Sequence, residues 1–253
     1  MNHRIAIIGT PRTGNTWLRR LLSSGYELQE RSVHRPDELI WNDLPANVVV
    51  QIHWPPTPEF LALLKHHQFQ VVTLSRHPLD VLISILHFCR FEPETCRWLD
   101  GAGGNEDGIR GCTPLSREFA EYATGPRAAA LLQLTRQWVQ TGAIRVRYEN
   151  LVVDTAEELI RIGKSLGWPV RNEVICFSVD ANTMNSLRQS LNTHHFWQGQ
   201  PGLWKLFLTA DACRPITDAH AELFRQLEYR YDPNPNLNAA AAAVQWQRFH
   251  EVK

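Results

Sequence analysis

The residues with the clearest chemical potential lie in GTPRTGNTW, Gly9 to Trp17. Gly9, Gly14 and Thr16 keep the register of the phosphate-binding pattern G-x-x-x-x-G-K-[ST], but Asn15 occupies the lysine position. A cation is found three residues earlier, at Arg12. Backbone N–H groups between a strand and a helix N-terminus attract an anion without that lysine, and Gly14 permits close approach. A second group is Arg76 with Ser84, eight residues apart in SRHPLDVLIS. An arginine at a strand end can grip a phosphate with its fork, and a hydroxyl can add a bond. The third is His53, at the end of VVVQIH, a group able to take a proton near neutral pH.

These residues need elements to present them. Four apolar runs read as buried strands: Arg4–Gly9, Val48–His53, Gln70–Ser75 and Ile144–Tyr148. Each is followed by a helical pattern, respectively TWLRRLLSSG with Gly25 as its stop, EFLALLKHH, LDVLISILHF and TAEELIRIGKSLG. Strand–helix alternation predicts an α/β fold, three layers α/β/α around a central, mostly parallel sheet. Ligands of such sheets bind beyond the carboxyl ends of the strands, which puts the loops after Gly9, His53, Ser75 and Arg147 on one rim. The pattern lapses between Phe91 and Pro114, which reads as a long loop, and again over Thr193–Trp204. The expected organisation is one domain over residues 1–235, then a linker and an Ala-rich helix over 236–253.

Composition narrows the function. Lys+Arg and Asp+Glu are both 26 in 253 residues, so no global field argues for nucleic acid or an anionic membrane. Five scattered cysteines without a CxxC pair read as reduced thiols of a cytoplasmic protein, not as metal ligands. No apolar run reaches the roughly 20 residues of a membrane span. No acidic residue follows a strand where Mg²⁺ would be held, so γ-phosphoryl transfer is poorly supported.

In combination the motifs resemble those of the sulfotransferases that use 3′-phosphoadenosine 5′-phosphosulfate (PAPS). PRTGNTWL is similar to their P-K-S-G-T-T-W loop, and SRHPLDVLIS to R-x-P-x-D-x-x-x-S. VVVQIHWP resembles the strand ending in their catalytic histidine, VRYENL their Y-E-D-L segment, and QGQPGLWKLFLT their late G-x-x-G-x-W-K segment. The order is kept over roughly residues 4 to 230.

The resemblance implies roles. Arg12 takes the place of the catalytic lysine at the bridging oxygen, and His53 becomes the general base. Thr13, Gly14, Asn15 and Thr16 cradle the 5′-phosphosulfate, and Trp17 stacks on adenine. Arg76 and Ser84 hold the 3′-phosphate. Tyr148 and Thr183 reach the adenine, and Gly199 offers an N–H to the 3′-phosphate. The implied reaction moves a sulfonate from PAPS, without a metal, to a hydroxyl of a small-molecule, lipid or glycoside acceptor.

Trp41, Trp54, Phe88, Phe91, Trp98 and Trp197 are candidates to wall the acceptor site, with packing in the fold as the equal alternative. Three departures stand out: Arg12 for lysine, Trp197-Gln198 where the family has Arg-Lys before Gly199, and Gln51 where some members have lysine. The competing readings are a P-loop nucleotide kinase-like phosphotransferase and a non-catalytic nucleotide-binding module.

Overall fold

A computed structural model describes residues 2–169, 171–190 and 196–251, which form two compact units. The first comprises residues 1–76 and 134–199, the second 77–133 and 200–253.

The first unit holds a five-stranded sheet in the order β2-β3-β1-β4-β5. Its strands are β1 (His3–Ile8), β2 (Gln29–Val33), β3 (Asn47–Ile52), β4 (Gln70–Ser75) and β5 (Ile144–Arg147), and every pairing is parallel. Around it run α1 (Asn15–Tyr26) and α2 (Pro58–His66). Helix α3 (Pro78–Phe88) belongs to the second unit, as do α4 (Arg117–Thr124) and the start of α5 (Pro126–Gln140), whose last residues return to the first. The first unit then adds α6 (Tyr148–Val153), α7 (Thr155–Leu166), α8 (Asn172–Ala181) and α9 (Met184–Ser190). The second closes with α10 (Trp204–Phe207), α11 (Ala210–Ala219), α12 (Ala221–Gln226) and α13 (Ala239–Glu251).

Parallel strands bury both faces, which is why Ile5–Ile8 and Val48–Val50 are fully buried, continuous apolar runs. On one face Ile5, Ile7, Val49, Val72, Leu74 and Val146 pack with Leu18, Leu21 and Leu22 of α1 and with Leu159, Ile162 and Ile175 of α7 and α8. On the other, Phe60 of α2 meets Trp138 of α5 and Trp41 edge-on, at 5.9 and 6.1 Å between ring centres. Within this unit the expected α/β/α layering is present. Of the acceptor-wall candidates, Trp41 is buried in this packing, and the Trp54 carbonyl accepts a bond from Trp138 Nε1 at 2.7 Å.

The structure corrects the element boundaries in three places. The strand β2 was not foreseen, because QERSV is polar and only partly buried at the sheet edge. Gly25 is not a helix stop. It lies inside α1, where a Cβ would come within 3.3 Å of Ile175 and 3.6 Å of Ser178, so it permits close approach of α8. The helix stops at Glu27, in the left-handed conformation at φ 54°. Tyr148 opens α6 instead of ending a strand.

The second unit is built on α3, buried along its whole length. Asp80 fixes the segment before α10: its carboxylate accepts from the N–H of Gly202 at 2.6 Å and of Trp204 at 3.1 Å. His77 stacks on Trp204 at 4.9 Å. Ala242 and Trp246 of α13 are buried, and Trp246 packs edge-on against Phe207.

The segment 91–114 is not a bare loop. It forms short 3₁₀ turns around Arg127, whose five N–H groups are all used. Two bond the Glu106 carboxylate at 2.7 and 3.3 Å, and three bond the carbonyls of Thr95, Trp98 and Ala102 at 2.9 to 3.0 Å. Both partners are buried, with Glu106 fully so. Phe88 and Trp98 stack 5.8 Å apart, part of this packing.

Among the described residues no helix is long and apolar enough to cross a membrane. All five cysteines are free, and no group of His, Cys, Asp or Glu gathers as metal ligands among the described residues.

Removing one member of a buried, hydrogen-bonded ion pair costs about 3–5 kcal/mol. Glu106→Ala is therefore expected to lower stability by that order in denaturant titration, and Glu106→Leu with Arg127→Met to lose less than the sum of the two single variants, since Arg127→Met also strips three carbonyls of their donors. Strictly additive losses would show that the pair does not act as a unit.

Candidate active site

Four strand ends of the first unit converge on one loop. The central strand β1 has β3 and β4 as neighbours, and the chain continues to opposite sides of it. This is the kind of switch point where parallel sheets bind ligands. The loop after β1 runs from Gly9 to Gly14 and feeds α1.

That loop is held by polar contacts within itself and from its surroundings. Thr135 of α5 accepts from Thr10 N–H at 2.9 Å and donates to the Leu74 carbonyl at 2.8 Å. Inside the loop, the Thr13 hydroxyl and the Asn15 amide both donate to the Thr10 carbonyl, at 2.8 and 2.9 Å. Arg76 Nη1 donates to the Arg12 carbonyl at 3.2 Å. A Cβ on Gly9 would come within 3.2 Å of the Leu74 carbonyl oxygen and the Thr135 hydroxyl, so the floor of the loop is closely packed.

The turn is left-handed at Arg12 (φ 67°) and at Gly14 (φ 103°). Gly14 is the N-cap of α1. It offers no side chain to the helix N-terminus, and the first turn of α1 carries no acidic residue. The leading N–H groups of a helix have no partner within it, and their dipoles add to a positive potential. With Arg12 and Arg76 attached to the same loop, the donor chemistry fits an anion.

Tyr148 packs the loop from the side. A Cβ on Gly14 would fall 2.6 Å from Tyr148 Cδ2, and the Arg76 guanidinium carbon lies 4.5 Å from the centre of the same ring. The Tyr148 hydroxyl donates to the Gly199 carbonyl at 2.6 Å. Tyr148 is thus a buried post between the anion loop, Arg76 and the segment around Gly199. The resemblance has Tyr148 reach the adenine edge; in the structure its hydroxyl bonds the Gly199 carbonyl and its ring packs against the loop.

Trp17 is partly buried, meets Tyr148 edge-on at 6.1 Å, and donates its indole N–H to the Asn182 carbonyl at 3.0 Å. Asn182 is itself tied to α1, through Ser24 at 2.9 Å. Thr183 caps the start of α9: its Oγ1 accepts from Ser186 N–H at 3.2 Å and contacts Ser186 Oγ at 2.8 Å. The Thr16 hydroxyl donates to Gln51 Oε1 at 3.3 Å, and Arg19 Nη1 donates to the same oxygen at 3.1 Å. Arg19 also pairs with Glu30 at 2.9 Å.

His53 is buried, and its Nδ1 lies 2.7 Å from the Gly9 carbonyl. A carbonyl accepts only, so Nδ1 carries the proton and the lone pair of the neutral ring is on Nε2. The pKa is pushed down from 6.5 to about 4, first by burial, then by the nearby His34, Arg12 and Arg19. The Gly9 bond opposes this shift. The ring is therefore a neutral base throughout the physiological range.

The structure brings together, in the first unit, His53, Arg12, Thr13, Gly14, Asn15, Thr16, Trp17, Arg76, Tyr148 and Gly199, each within contact of another residue of the group or of its immediate scaffold. Ser84 lies in the second unit, buried on α3 one turn after Asp80. Residues 193–195 of the expected irregular segment lie outside the described residues. Beyond them, from Phe196, the chain runs through turn and coil to α10. Thr135, Gln51 and Arg19 as supports of the loop were not assigned from sequence. The alternation in AAALLQLTRQW does contain a signal, since Thr135 is a polar residue within an apolar helix face.

Residues 2–228 match the sequence profile of the sulfotransferase domain. No curated protein matches the chain. Among solved structures the fold is similar to mouse sulfotransferase SULT7A1 complexed with PAP, with TM-score 0.68 and 17% identity over 91% of this chain and 90% of that one. It is also similar to retinol dehydratase in complex with androsterone and inactive cofactor PAP, with TM-score 0.62 and 14% identity over 92% and 83%. The sulfotransferase domain from the curacin biosynthetic pathway aligns at TM-score 0.51 and 15% identity over 92% and 99%.

Gly14→Ala places a methyl against Tyr148 and forces an alanine to φ near +103°. It is expected to reduce stability by about 1–3 kcal/mol in denaturant titration, the usual range for a strained backbone position. An unchanged unfolding midpoint would contradict the tight fit described here.

Proposed function

The chain belongs to the sulfotransferase domain family, and from that premise we propose that it transfers a sulfonate from PAPS to a hydroxyl of a small-molecule, lipid or glycoside acceptor. The observation that carries this reading is the link between base and anion cradle: His53 Nδ1 bonds the carbonyl of Gly9, the first residue of the loop. The proposed proton acceptor is thereby tied to the loop proposed for the leaving group. The PAP and androsterone in the solved neighbours support a nucleotide donor and a small acceptor.

In this mechanism His53 Nε2 takes the acceptor proton as the hydroxyl oxygen attacks sulfur in line with the leaving phosphate. Arg12 and the N–H groups of Thr13, Gly14, Asn15 and Thr16 face the charge that grows on the bridging and phosphate oxygens. Preorganised donors of this kind usually supply the largest part of such catalysis. Arg76 and Ser84 recognise the 3′-phosphate, with the N–H of Gly199. Trp17 lies against the adenine, with Tyr148 edge-on beside it and Thr183 next to Asn182, whose carbonyl binds the Trp17 indole. The donor has no γ-phosphate to bridge, so the chemistry places no demand on a divalent cation. The free thiols agree with a reducing, cytoplasmic setting.

The test is transfer of labelled sulfonate from PAPS to a library of hydroxylated metabolites, with product identification. His53→Ala is expected to lower turnover about 10²–10⁴-fold, the range for a general base. With the His53 pKa pushed down to about 4, kcat/KM is expected to hold steady from pH 8 to below 6 and to fall only as the ring protonates at more acid pH. An acid limb centred at 6.5, or His53→Ala turnover close to that of the parent, would remove His53 from this role.

A further inference from the structure

The segment before Gly199 carries Trp197 and Gln198, so it offers no cation of its own to a phosphate. The structure supplies one from elsewhere in the chain. Arg188, in the last turn of α9, donates Nε to the Phe196 carbonyl at 2.8 Å and Nη2 to the Trp197 carbonyl. Its partners among the described residues are these two carbonyls, dipoles that orient the guanidinium but leave its charge unneutralised. The side chain is half-buried, so the fork is shielded without being sealed off.

The segment it grips is fixed at its other end, where the Gly199 carbonyl accepts from Tyr148. Tyr148 in turn holds Arg76 over its ring. Two arginines far apart in sequence are therefore attached to one small assembly, Arg188 by the carbonyls of Phe196 and Trp197 and Arg76 by the Tyr148 ring. A planar fork with N–H groups left over after binding two carbonyls suits a phosphate monoester.

We infer that Arg188 is a binding residue for the 3′-phosphate of the donor, furnishing the positive charge that Trp197 and Gln198 do not. The inference rests on the proposed use of PAPS. It assigns Arg188 two tasks at once: closing the turn at 196–197 and presenting its remaining N–H groups to the 3′-phosphate.

Calorimetric titration with 3′-phosphoadenosine 5′-phosphate and with adenosine 5′-phosphate tests it, since the two differ only in the 3′-phosphate. The parent protein is expected to prefer the first. Arg188→Gln is expected to weaken that nucleotide about tenfold or more, the scale of a lost charge-assisted contact, and to leave adenosine 5′-phosphate unchanged. Arg188→Lys, which keeps the charge but not the fork, is expected to bind 3′-phosphoadenosine 5′-phosphate less tightly than the parent and more tightly than Arg188→Gln. Equal weakening of both nucleotides by Arg188→Gln would reduce Arg188 to a loop support and overturn the inference, as would unaltered binding of both. A parent protein that does not distinguish the two nucleotides would overturn the donor reading itself, and the inference with it.

Discussion

The turn from Gly9 to Gly14 has no regular structure of its own, and the arrangement of the site depends on what braces it. A loop that turns its N–H groups toward a ligand cannot spend them on internal bonds, so its shape must be imposed from outside. The Thr10 carbonyl gathers Thr13 and Asn15, Thr135 clamps Thr10 to β4, Arg76 bonds the Arg12 carbonyl, and the Tyr148 ring fills the space that any side chain on residue 14 would need. The Gly9 carbonyl then sets the tautomer of His53. His53, the loop and Arg76 are consequently not independent features. They share one backbone turn, and a displacement of that turn moves all three.

Much of this was legible in the sequence because the relevant signals are local. Apolar runs of five or six residues, a glycine at the strand-to-helix turn and Pro78 at the first position of α3 each carry their meaning within a short window. The edge strand β2 was invisible for the converse reason: an edge strand need not be apolar, and its reason for being extended is the neighbour at Val48–Ile52. Gly25 was misread because a glycine near a helix end usually marks a stop, whereas its packing partner on α8 is some 150 residues away.

The segment 91–114 shows the same limit more sharply. Its glycines and charges read as a long loop, yet Glu106 is fully buried because Arg127 closes the pair from the start of α5. Burial of a carboxylate is decided by a partner, and the partner is not in the local window. Thr135, Gln51 and Arg19 were missed on the same ground. Each matters through contacts with residues distant in sequence, and their types alone suit an ordinary helix or strand position.

The exchange of lysine for Arg12 takes on a different weight in this geometry. Arginine cannot give up a proton at any relevant pH, so on the proposed reaction it cannot protonate the leaving oxygen. The leaving group there is a phosphate monoester, whose second ionisation lies near pH 6, so it departs as a stable anion at neutral pH without a proton. What it needs is charge close to the bridging oxygen. Arg12 sits in the left-handed region at φ 67°, a conformation that costs a non-glycine residue roughly 1 kcal/mol or more and persists where the surroundings enforce it. The enforcing contact is Arg76 Nη1 on the Arg12 carbonyl. The residue proposed for the 3′-phosphate thus also holds the backbone of the residue proposed for the 5′ end, and on the proposed reaction the fixed charge of Arg12 meets the need of a leaving group that requires only charge.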